Sequence, residues 1–508
     1  MTRTSALGTA LAVALAAIPL AAAAPAAGTP LDQVVKDDLE FARERLMATA
    51  SSVPADRYPM RTGPEGDWVT TGPGYWTSGF FPASLWLAHA ATGDPRLASE
   101  AEARLPVLEA QKRDGSGSDQ GFKMLGSFGR GYLLTGRDRY RRAAVRAAAS
   151  LASRFSPAVG ATRSWGNRRS EDFTVIVDNL MNLELLFWAA RHGGNPAWHG
   201  MALSHALRTA REHVRRDGST FHVVDFNPRT GKVRRKRTRQ GYARRSTWSR
   251  GQAWAAYGFT MAYRETRDER LLEAARRTAD WFLAHLPYDR VPYWDFDAPG
   301  IPDAPRDSSA AAVAASGLLE QATLDPDARR AARYRDAAES IVASLSSDSY
   351  LARGDSTQAL LLHGTQDRPR GKYDTGLSFG DYYLLESLLR HRTPPRPPSA
   401  PAIEIRVSHA RERPRVRVGS DEPGRIRAAL LARRATARGL GLHGGRSGIL
   451  ARGRGRLEAP GTTRVRMRAV KGAPGRPRGL RSALLTLSVV LATPDGRSAA
   501  RSVPVPLG

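Results

Sequence analysis

Between residue 31 and about residue 392 the chain repeats one helical pattern, and this repetition limits the possible folds more than any other feature. Apolar residues recur at spacings of three and four, and the alternation typical of strands is rare. Five short polar segments each end one apolar helix and open an Ala-rich amphipathic one: 92–97, 135–140, 194–196, 266–271 and 325–327. The pattern predicts five consecutive helical hairpins.

The hairpins divide the helices into two sets. The predicted first helices begin near Ser78, Asp119, Asp178, Arg250 and Asp307, with a sixth near Phe379. Their partners begin near Pro95, Asp138, Pro196, Asp268 and Asp327, and residues 31–48 supply the sixth partner. Six inner and six outer helices predict a mainly α fold, a closed (α/α)6 barrel, because an open superhelix would have repeats of more regular length. All six inner N-termini would then point to one mouth, the expected site.

The last fifth of the chain has a different pattern. After a predicted barrel domain at 28–392, a proline-rich linker at 393–402 is followed by residues 403–508, in which apolar and polar residues alternate between Gly, Pro and Asp turns. This alternation predicts a small antiparallel β-sandwich.

The charge of this last segment is unusual. The whole chain of 508 residues carries a formal net charge of +28, and 70 of its 77 basic residues are arginine, so any single arginine is weak evidence. Residues 401–508 hold 23 basic and 6 acidic residues, a net +17. The balance excludes an acidic solvating protein and predicts an anionic partner for this domain, an anionic polysaccharide or the cell wall.

The N-terminus is typical of a secretory signal. Arg3 precedes an uncharged Ala- and Leu-rich run at 6–23 and small residues, so we expect residues 1–27 to be removed after Ala24 or Ala27. A membrane anchor is the alternative, but Pro19 interrupts the run. We therefore expect a secreted or cell-surface-associated protein with no transmembrane segment in the mature chain. The sequence contains no cysteine, which excludes disulfides and thiolate sites.

Asp119 and Asp178 are the candidate catalytic residues at the mouth, because glycoside chemistry commonly uses two carboxylates in different environments. Helix capping is the alternative, since Asp is a preferred N-cap residue. Asp178 follows the apolar run 175–177, where an unpaired charge is costly, and Asn179 and Asn182 offer amide partners. A desolvated carboxylate has a raised pKa and can donate a proton.

Aromatic and cationic side chains in the mouth loops are candidate substrate contacts. An indole face can stack on a sugar ring, although tryptophan is more often a core residue. Arg250, between Trp248 and Trp254, could bind a carboxylate in a bidentate manner or form a salt bridge with a neighbouring acid. His222 and Gln240 indicate nothing by themselves.

Three motifs together resemble glycoside hydrolase family 88, the unsaturated glucuronyl hydrolases. They are residues 248–260, residues 293–299 and residues 306–312, and the resemblance extends from about residue 76 to residue 389. It independently implies the six-hairpin barrel.

By motif, the resemblance implies that Asp178 is the general acid/base and that Asp119 is the second essential carboxylate. It also implies the following substrate contacts: Trp76, Trp165, His222, Gln240, Trp248, Arg250 and Trp254. The sequence departs from the family at Ser118, where a histidine usually stands before the Asp-x-Gly-Phe segment. This change bears on the orientation of Asp119 or on substrate choice.

The implied substrate is an oligosaccharide from a polysaccharide lyase, whose non-reducing uronate carries a C4–C5 double bond. Asp178 would protonate C4 and then accept a proton from the water that attacks C5; no metal or organic cofactor is implied. One alternative is an unsaturated rhamnogalacturonyl hydrolase acting on pectin fragments. Another is a non-catalytic polysaccharide-binding protein. A nucleic-acid partner is not expected, because the basic run 232–239 is typical of a solvated loop.

Overall fold

The computed structural model describes residues 31–167, 169–393, 402–410, 413–432, 449–470, 484–493 and 498–506. The predicted signal peptide and most of the predicted linker lie outside the described residues. No helix in the described ranges has the length and hydropathy needed to cross a bilayer.

The described helices confirm the predicted (α/α)6 barrel. The outer helices are α1 (Leu31–Ser52), α3 (Pro95–Leu108), α6 (Asp138–Ala152), α8 (Ala197–His213), α10 (Glu269–Ala284) and α12 (Ala328–Leu345). The inner helices are α2 (Phe80–Thr92), α4 (Gln120–Met124), which continues through a π-helical turn at Leu125–Gly129 into α5 (Arg130–Thr135), α7 (Asn179–Arg191), α9 (Ser249–Thr266), α11 (Ser308–Leu324) and α13 (Ser378–Arg392). Each inner element contacts the next, and α13 returns to α2, so the ring is closed.

The two sets of helices form for different local reasons. Outer helices bury one stripe, and α3, α10 and α12 begin at capping residues: the side chains of Asp94, Asp268 and Asp327 accept hydrogen bonds from backbone N–H groups in the first turn. Inner helices such as α11 are buried on nearly all sides and are rich in small residues. Gly317, for example, lies against Tyr257 of α9, where a Cβ atom would approach to 2.7 Å.

Short antiparallel strands surround the mouth, which the helical pattern did not predict. They are β1 (Tyr58–Thr62), β2 (Trp68–Thr71), β3 (Phe155–Ser156), β4 (Ala161–Thr162), β5 (Phe173–Ile176), β6 (Val223–Phe226) and β7 (Val233–Arg237). Strands of two to five residues are too short to show a period. The sheet β5-β6-β7 leads directly into α7 and places Asp178 at its start.

The C-terminal segment is antiparallel β structure, as expected. Its described strands are β8 (Ile403–Ala410), β9 (Arg413–Ser420), β10 (Gly424–Ala432), β11 (Ile449–Leu457), β12 (Gly461–Ala469), β13 (Leu484–Ala492) and β14 (Ser498–Pro506). They form a single sheet in the order β14-β13-β10-β11-β12-β9-β8. The sheet curls around an aliphatic core until its edges approach, and Arg501 on β14 donates to the Ile403 carbonyl at 2.7 Å.

The curled sheet packs on the barrel at the end opposite the mouth. Arg427 of β10 donates to the carbonyls of Gly194 and, at 2.8 Å, Ala190, where α7 ends. His199 at the start of α8 lies 2.8 Å from the Ser502 hydroxyl. Leu431 joins the hydrophobic core of the barrel. The outer face of β10, β13 and β14 is therefore covered by the barrel.

Candidate active site

The packing of α4 against α7 brings the two candidate carboxylates together at the mouth. Asp119 lies directly before α4, and Asp178 lies directly before α7. Asn182, one turn into α7, donates from Nδ2 to Asp119 Oδ1 at 3.4 Å and accepts the Phe122 N–H on Oδ1 at 3.0 Å. Neither aspartate makes a side-chain capping hydrogen bond within the described residues. The capping alternative therefore does not explain them, in contrast to the aspartates that cap the outer helices.

Asp178 is a carboxyl group that titrates near neutral pH. Only 14% of its side chain is exposed, and Oδ2 has no hydrogen-bond partner in the described part of the chain. Burial raises its pKa from 3.8 to about 7, the negative charge of Asp119 acts in the same direction, and the cation of Arg250 acts against it. Asp178 can therefore donate a proton near neutrality and accept it back.

His222 is a neutral neighbour of Asp178. Its Nδ1 accepts the backbone N–H of Arg239 at 3.3 Å, so the proton of the neutral ring is assigned to Nε2, which lies 3.7 Å from Asp178 Oδ2. Burial, assisted by nearby cations that include Arg250, lowers the pKa of His222 well below its usual value. A neutral imidazole places no positive charge beside Asp178, so the raised pKa of that carboxyl persists.

Asp119 has a more polar environment. Burial raises its pKa, while the charge of Lys123 and the hydrogen bond from Asn182 favour the ionised form. Ser118, in the position usually held by histidine in the family, is buried and has its hydroxyl 3.5 Å from Asp119 Oδ1. The serine thus approaches the same carboxylate without bringing a second titratable ring.

Arg250 forms the salt bridge that the sequence left open as an alternative. Its guanidinium is 1% exposed, pairs with Asp307 at 2.5 Å, and donates to the carbonyls of Thr365 and, at 2.7 Å, Gln366. Gln240 donates to the same Gln366 carbonyl at 2.9 Å. The guanidinium of Arg250 is bound to protein groups. Arg250 therefore influences the site through its positive charge, which lowers the pKa of Asp178.

The four predicted tryptophans occupy two different layers. Trp76 and Trp165 are half-buried at the mouth; Trp76 packs on Phe379 at 4.9 Å between ring centres, and Trp165 lies edge-on to His222 at 6.1 Å. Trp248 is 3% exposed and packs on His222 at 4.4 Å.

Trp254 differs from the expectation of a substrate contact. It has no exposed surface, because Phe122 and Tyr383 pack against it at 5.3 and 5.2 Å between ring centres. The structure therefore places Trp254 in the wall behind the site.

Sequence reasoning missed several groups that shape the site. Thr365 and Gln366 lie in a loop far from Arg250 in sequence, and no motif marked them; Gln366 also donates to the Tyr75 hydroxyl at 3.0 Å. Arg239 sets the proton position on His222 through its backbone and lies over Trp165 at 4.9 Å. In the sequence, the one indication that Arg239 belongs to the site was its position directly before the candidate Gln240. No cluster of three or more metal-ligating side chains occurs among the described residues.

A carboxyl group with a pKa raised to about 7 beside a second carboxylate, with tryptophans at the mouth of an (α/α)6 barrel, is typical of a glycoside hydrolase. No protein-family model matches the chain. The chain is 41% identical over 321 residues to the unsaturated glucuronyl hydrolase of Formosa agariphila, covering 62% of this chain and 79% of that protein. It is 36% identical to the unsaturated chondroitin disaccharide hydrolase of Streptococcus pyogenes serotype M1, covering 62% and 80%.

Solved structures with a similar fold belong to the same family. The crystal structure of an unsaturated glucuronyl hydrolase specific for heparin superposes with a TM-score of 0.68 at 38% identity, covering 71% of this chain and 97% of that one. The chain belongs to the unsaturated glucuronyl hydrolase family.

Proposed function

We propose that the protein hydrolyses the unsaturated glucuronyl residue from the non-reducing end of glycosaminoglycan-type oligosaccharides that polysaccharide lyases produce. The family membership supports the reaction, and relatives named for chondroitin disaccharides and for heparin support the substrate class. The observation that carries the proposal is the carboxyl of Asp178 at the mouth of the barrel, whose pKa of about 7 leaves a large fraction of it protonated at neutral pH.

The proposed mechanism uses this proton twice. In the substrate, the C4–C5 double bond is conjugated with the ring oxygen as a vinyl ether. Asp178 transfers its proton to C4, and the positive charge that develops at C5 is shared by the ring oxygen. The Asp178 carboxylate then accepts a proton from the water molecule that attacks C5. The resulting hemiketal opens, the glycosidic bond at C1 breaks, and Asp178 is again protonated.

The neighbours of Asp178 have supporting roles in this mechanism. Asp119, fixed by Asn182, contributes negative charge that helps to keep the Asp178 proton in place before the reaction. His222 presents its Nε2–H towards the same carboxyl and can donate to a substrate oxygen or to the ionised carboxylate. The half-buried rings of Trp76 and Trp165 offer surfaces on which a sugar ring can stack.

The test is the loss of ultraviolet absorbance when the double bond is consumed. The purified protein is expected to lower the absorbance of unsaturated chondroitin or hyaluronan disaccharides. Asp178→Asn is expected to lower kcat by about 10²–10⁴ or more, because an amide cannot donate and recover the proton. Asp268→Asn is the matched control, since it makes the same change at a helix cap remote from the mouth.

Two results would overturn the proposal. An Asp178→Asn variant with wild-type turnover would remove the proposed acid/base. A wild-type protein that leaves a panel of lyase products untouched, with pectic fragments included, would not be a hydrolase of this kind. Turnover of the pectic fragments alone would instead identify an unsaturated rhamnogalacturonyl hydrolase.

We further propose that the protein acts outside the cytoplasm, where polymeric uronate-containing substrates are degraded. The signal-like composition of residues 1–27 supports this location. N-terminal sequencing of the protein from culture medium should give a chain that begins after Ala24 or Ala27. A full-length N-terminus confined to the cytoplasmic fraction would contradict export.

A further inference from the structure

The outer face of the C-terminal sheet carries arginines in register across its strands. Arg454 on β11 lies opposite Arg427 on β10 and opposite Arg466 on β12. The other opposed pairs are Arg425 with Arg456, Arg452 with Arg468, Arg464 with Arg417, and Arg417 with Arg406. Residues that face each other in an antiparallel pair point to the same side of the sheet, so these side chains form one surface. Arg427 faces the barrel, and the other nine are exposed.

We call these nine exposed arginines the arginine face. In the part of the chain that the structure describes, acidic residues neutralise only two of them. Arg406 pairs with Glu404 at 2.7 Å and Arg456 with Glu458 at 3.1 Å. The remaining seven have no carboxylate partner among the described residues: Arg417, Arg425, Arg452, Arg454, Arg464, Arg466 and Arg468. Like charges directly opposite each other destabilise a sheet. Fold stability therefore does not explain the face, and a bound polyanion would offset its repulsion.

The residue composition of the sheet restricts how a ligand can be recognised. Residues 401–508 contain no Phe, Tyr or Trp. Neutral sugar rings and single-stranded bases are usually bound by stacking on aromatic side chains, which this domain cannot provide. Guanidinium groups bind sulfate and carboxylate groups through paired, charge-assisted hydrogen bonds. This surface is therefore suited to bind the sulfate or carboxylate groups of a ligand.

We propose that the arginine face binds a linear polysaccharide that carries sulfate or carboxylate groups, and that it retains the enzyme on such a polymer. The preference for a polysaccharide over duplex DNA rests on the proposed function of the barrel, whose substrates come from such polymers. Alternate residues along a strand are about 7 Å apart and neighbouring strands about 4.8 Å apart, so the face presents a grid of cations over five adjacent strands, β10-β11-β12-β9-β8.

The position of the face makes it a retention surface separate from the active site. Arg427 anchors the sheet to the last turn of α7, whereas Asp178 lies before the first turn of the same helix. The helix has 13 residues and is about 20 Å long. A disaccharide at the mouth therefore does not reach the arginine face, and the loss of this face is expected to leave disaccharide turnover unchanged.

The test uses the full chain with four arginines of the face changed to glutamine: Arg452, Arg454, Arg466 and Arg468. Binding to chondroitin sulfate is measured by titration at several salt concentrations, with disaccharide turnover measured in parallel. We expect affinity to fall about tenfold or more and the dependence on salt to become shallower, because fewer counterions are exchanged. Neutral dextran should not bind to either protein.

The matched control removes the same charge from exposed arginines on the outer helices of the barrel: Arg142, Arg146, Arg211 and Arg329, each changed to glutamine. This variant should keep its affinity for chondroitin sulfate. Equal loss in both variants would show a net-charge effect and overturn the proposal. Tighter binding of duplex DNA than of chondroitin sulfate would also overturn it. The two proposals can also be distinguished. If the arginine substitutions reduce polymer binding but the wild type shows no disaccharide turnover, the proposed function is wrong and the proposed binding surface is supported.

Discussion

The pKa of Asp178 is raised to about 7 because burial removes water from the carboxyl and its neighbours stabilise the negative charge only weakly. The carboxyl is largely buried, its Oδ2 lacks a hydrogen-bond partner within the described residues, and the neighbouring His222 is neutral. These features suit proton transfer, but they oppose the folded state wherever the unfolded chain would ionise the group. The catalytic environment thus has a measurable cost in stability.

The destabilisation caused by the buried Asp178 carboxyl increases as the pH rises. The pKa of Asp178 is about 7 when folded and near 3.8 otherwise, so stability falls as pH rises from about 4 to about 7 and stays low above that. Asp178→Asn removes the titration and should stabilise the fold by up to about 4 kcal/mol above pH 7. Urea unfolding at pH 4.5 and pH 8 measures this difference. A gain no larger at pH 8 than at pH 4.5 would show that burial does not hold the proton.

Substitution in the buried ion pair between Arg250 and Asp307 should instead destabilise the fold. Asp307→Asn leaves the Arg250 guanidinium, which is 1% exposed, without its carboxylate partner. Breaking such a pair should cost about 3–5 kcal/mol in the free energy of unfolding. Asp268→Asn is the control, because Asp268 pairs with the exposed Arg270 and asparagine is also a good N-cap; its cost should stay below about 1 kcal/mol. Equal effects on the denaturation midpoint would contradict the assignment.

At the scale of elements, the crossing of α4 and α7 sets the geometry of the two carboxylates. Gly121 permits this crossing, since a Cβ atom there would lie 2.6 Å from Asn182 Cα and 2.8 Å from its Oδ1. Asn182 is also the residue that donates to Asp119. The close contact of two backbones is therefore a condition for the hydrogen bond that positions the second carboxylate.

Gly121→Ala should separate the two helices and lower kcat by at least about tenfold, since small displacements of catalytic groups are costly. Gly117→Ala in the preceding loop is the control, because a Cβ atom there meets nothing within 4 Å. Steady-state kinetics on an unsaturated disaccharide compare the two variants. Retention of wild-type kcat in Gly121→Ala would mean that the crossing does not control the site.

At the scale of the whole molecule, the barrel and the curled sheet share one apolar contact region. Consecutive leucines on β10 point in opposite directions: Leu430 enters the core of the sheet and Leu431 joins the core of the barrel. All ten tryptophans precede residue 401, so their fluorescence reports on the barrel alone.

Leu431→Ala should lower the tryptophan-monitored unfolding midpoint, because removing a buried leucine side chain costs about 2–5 kcal/mol. Leu430→Ala should destabilise mainly the sheet and shift this midpoint less. Both variants should retain disaccharide turnover at low temperature, since the contact lies at the end of the barrel remote from the mouth. The same fluorescence shift in both variants would mean that the two units unfold as one.

The order of the helices, their starts to within about two residues, and the change to β structure after the linker were all predictable from the sequence. These features follow from local periodicity and capping, which neighbouring residues control. Which of the candidate residues contact the site depends instead on how the helices and loops pack in three dimensions. Arg250 meets Asp307 from 57 residues away, and Trp254 is covered while Trp76 is not.

Two further properties also depended on the three-dimensional arrangement. The raised pKa of Asp178 arises from desolvation by groups distant in sequence, which no motif encodes. The net charge of +17 was visible in the sequence, but only the strand order and register place the arginines on one exposed surface. Burial and strand pairing are properties of the assembled chain, and for that reason the sequence indicated the chemistry while the fold determined its position.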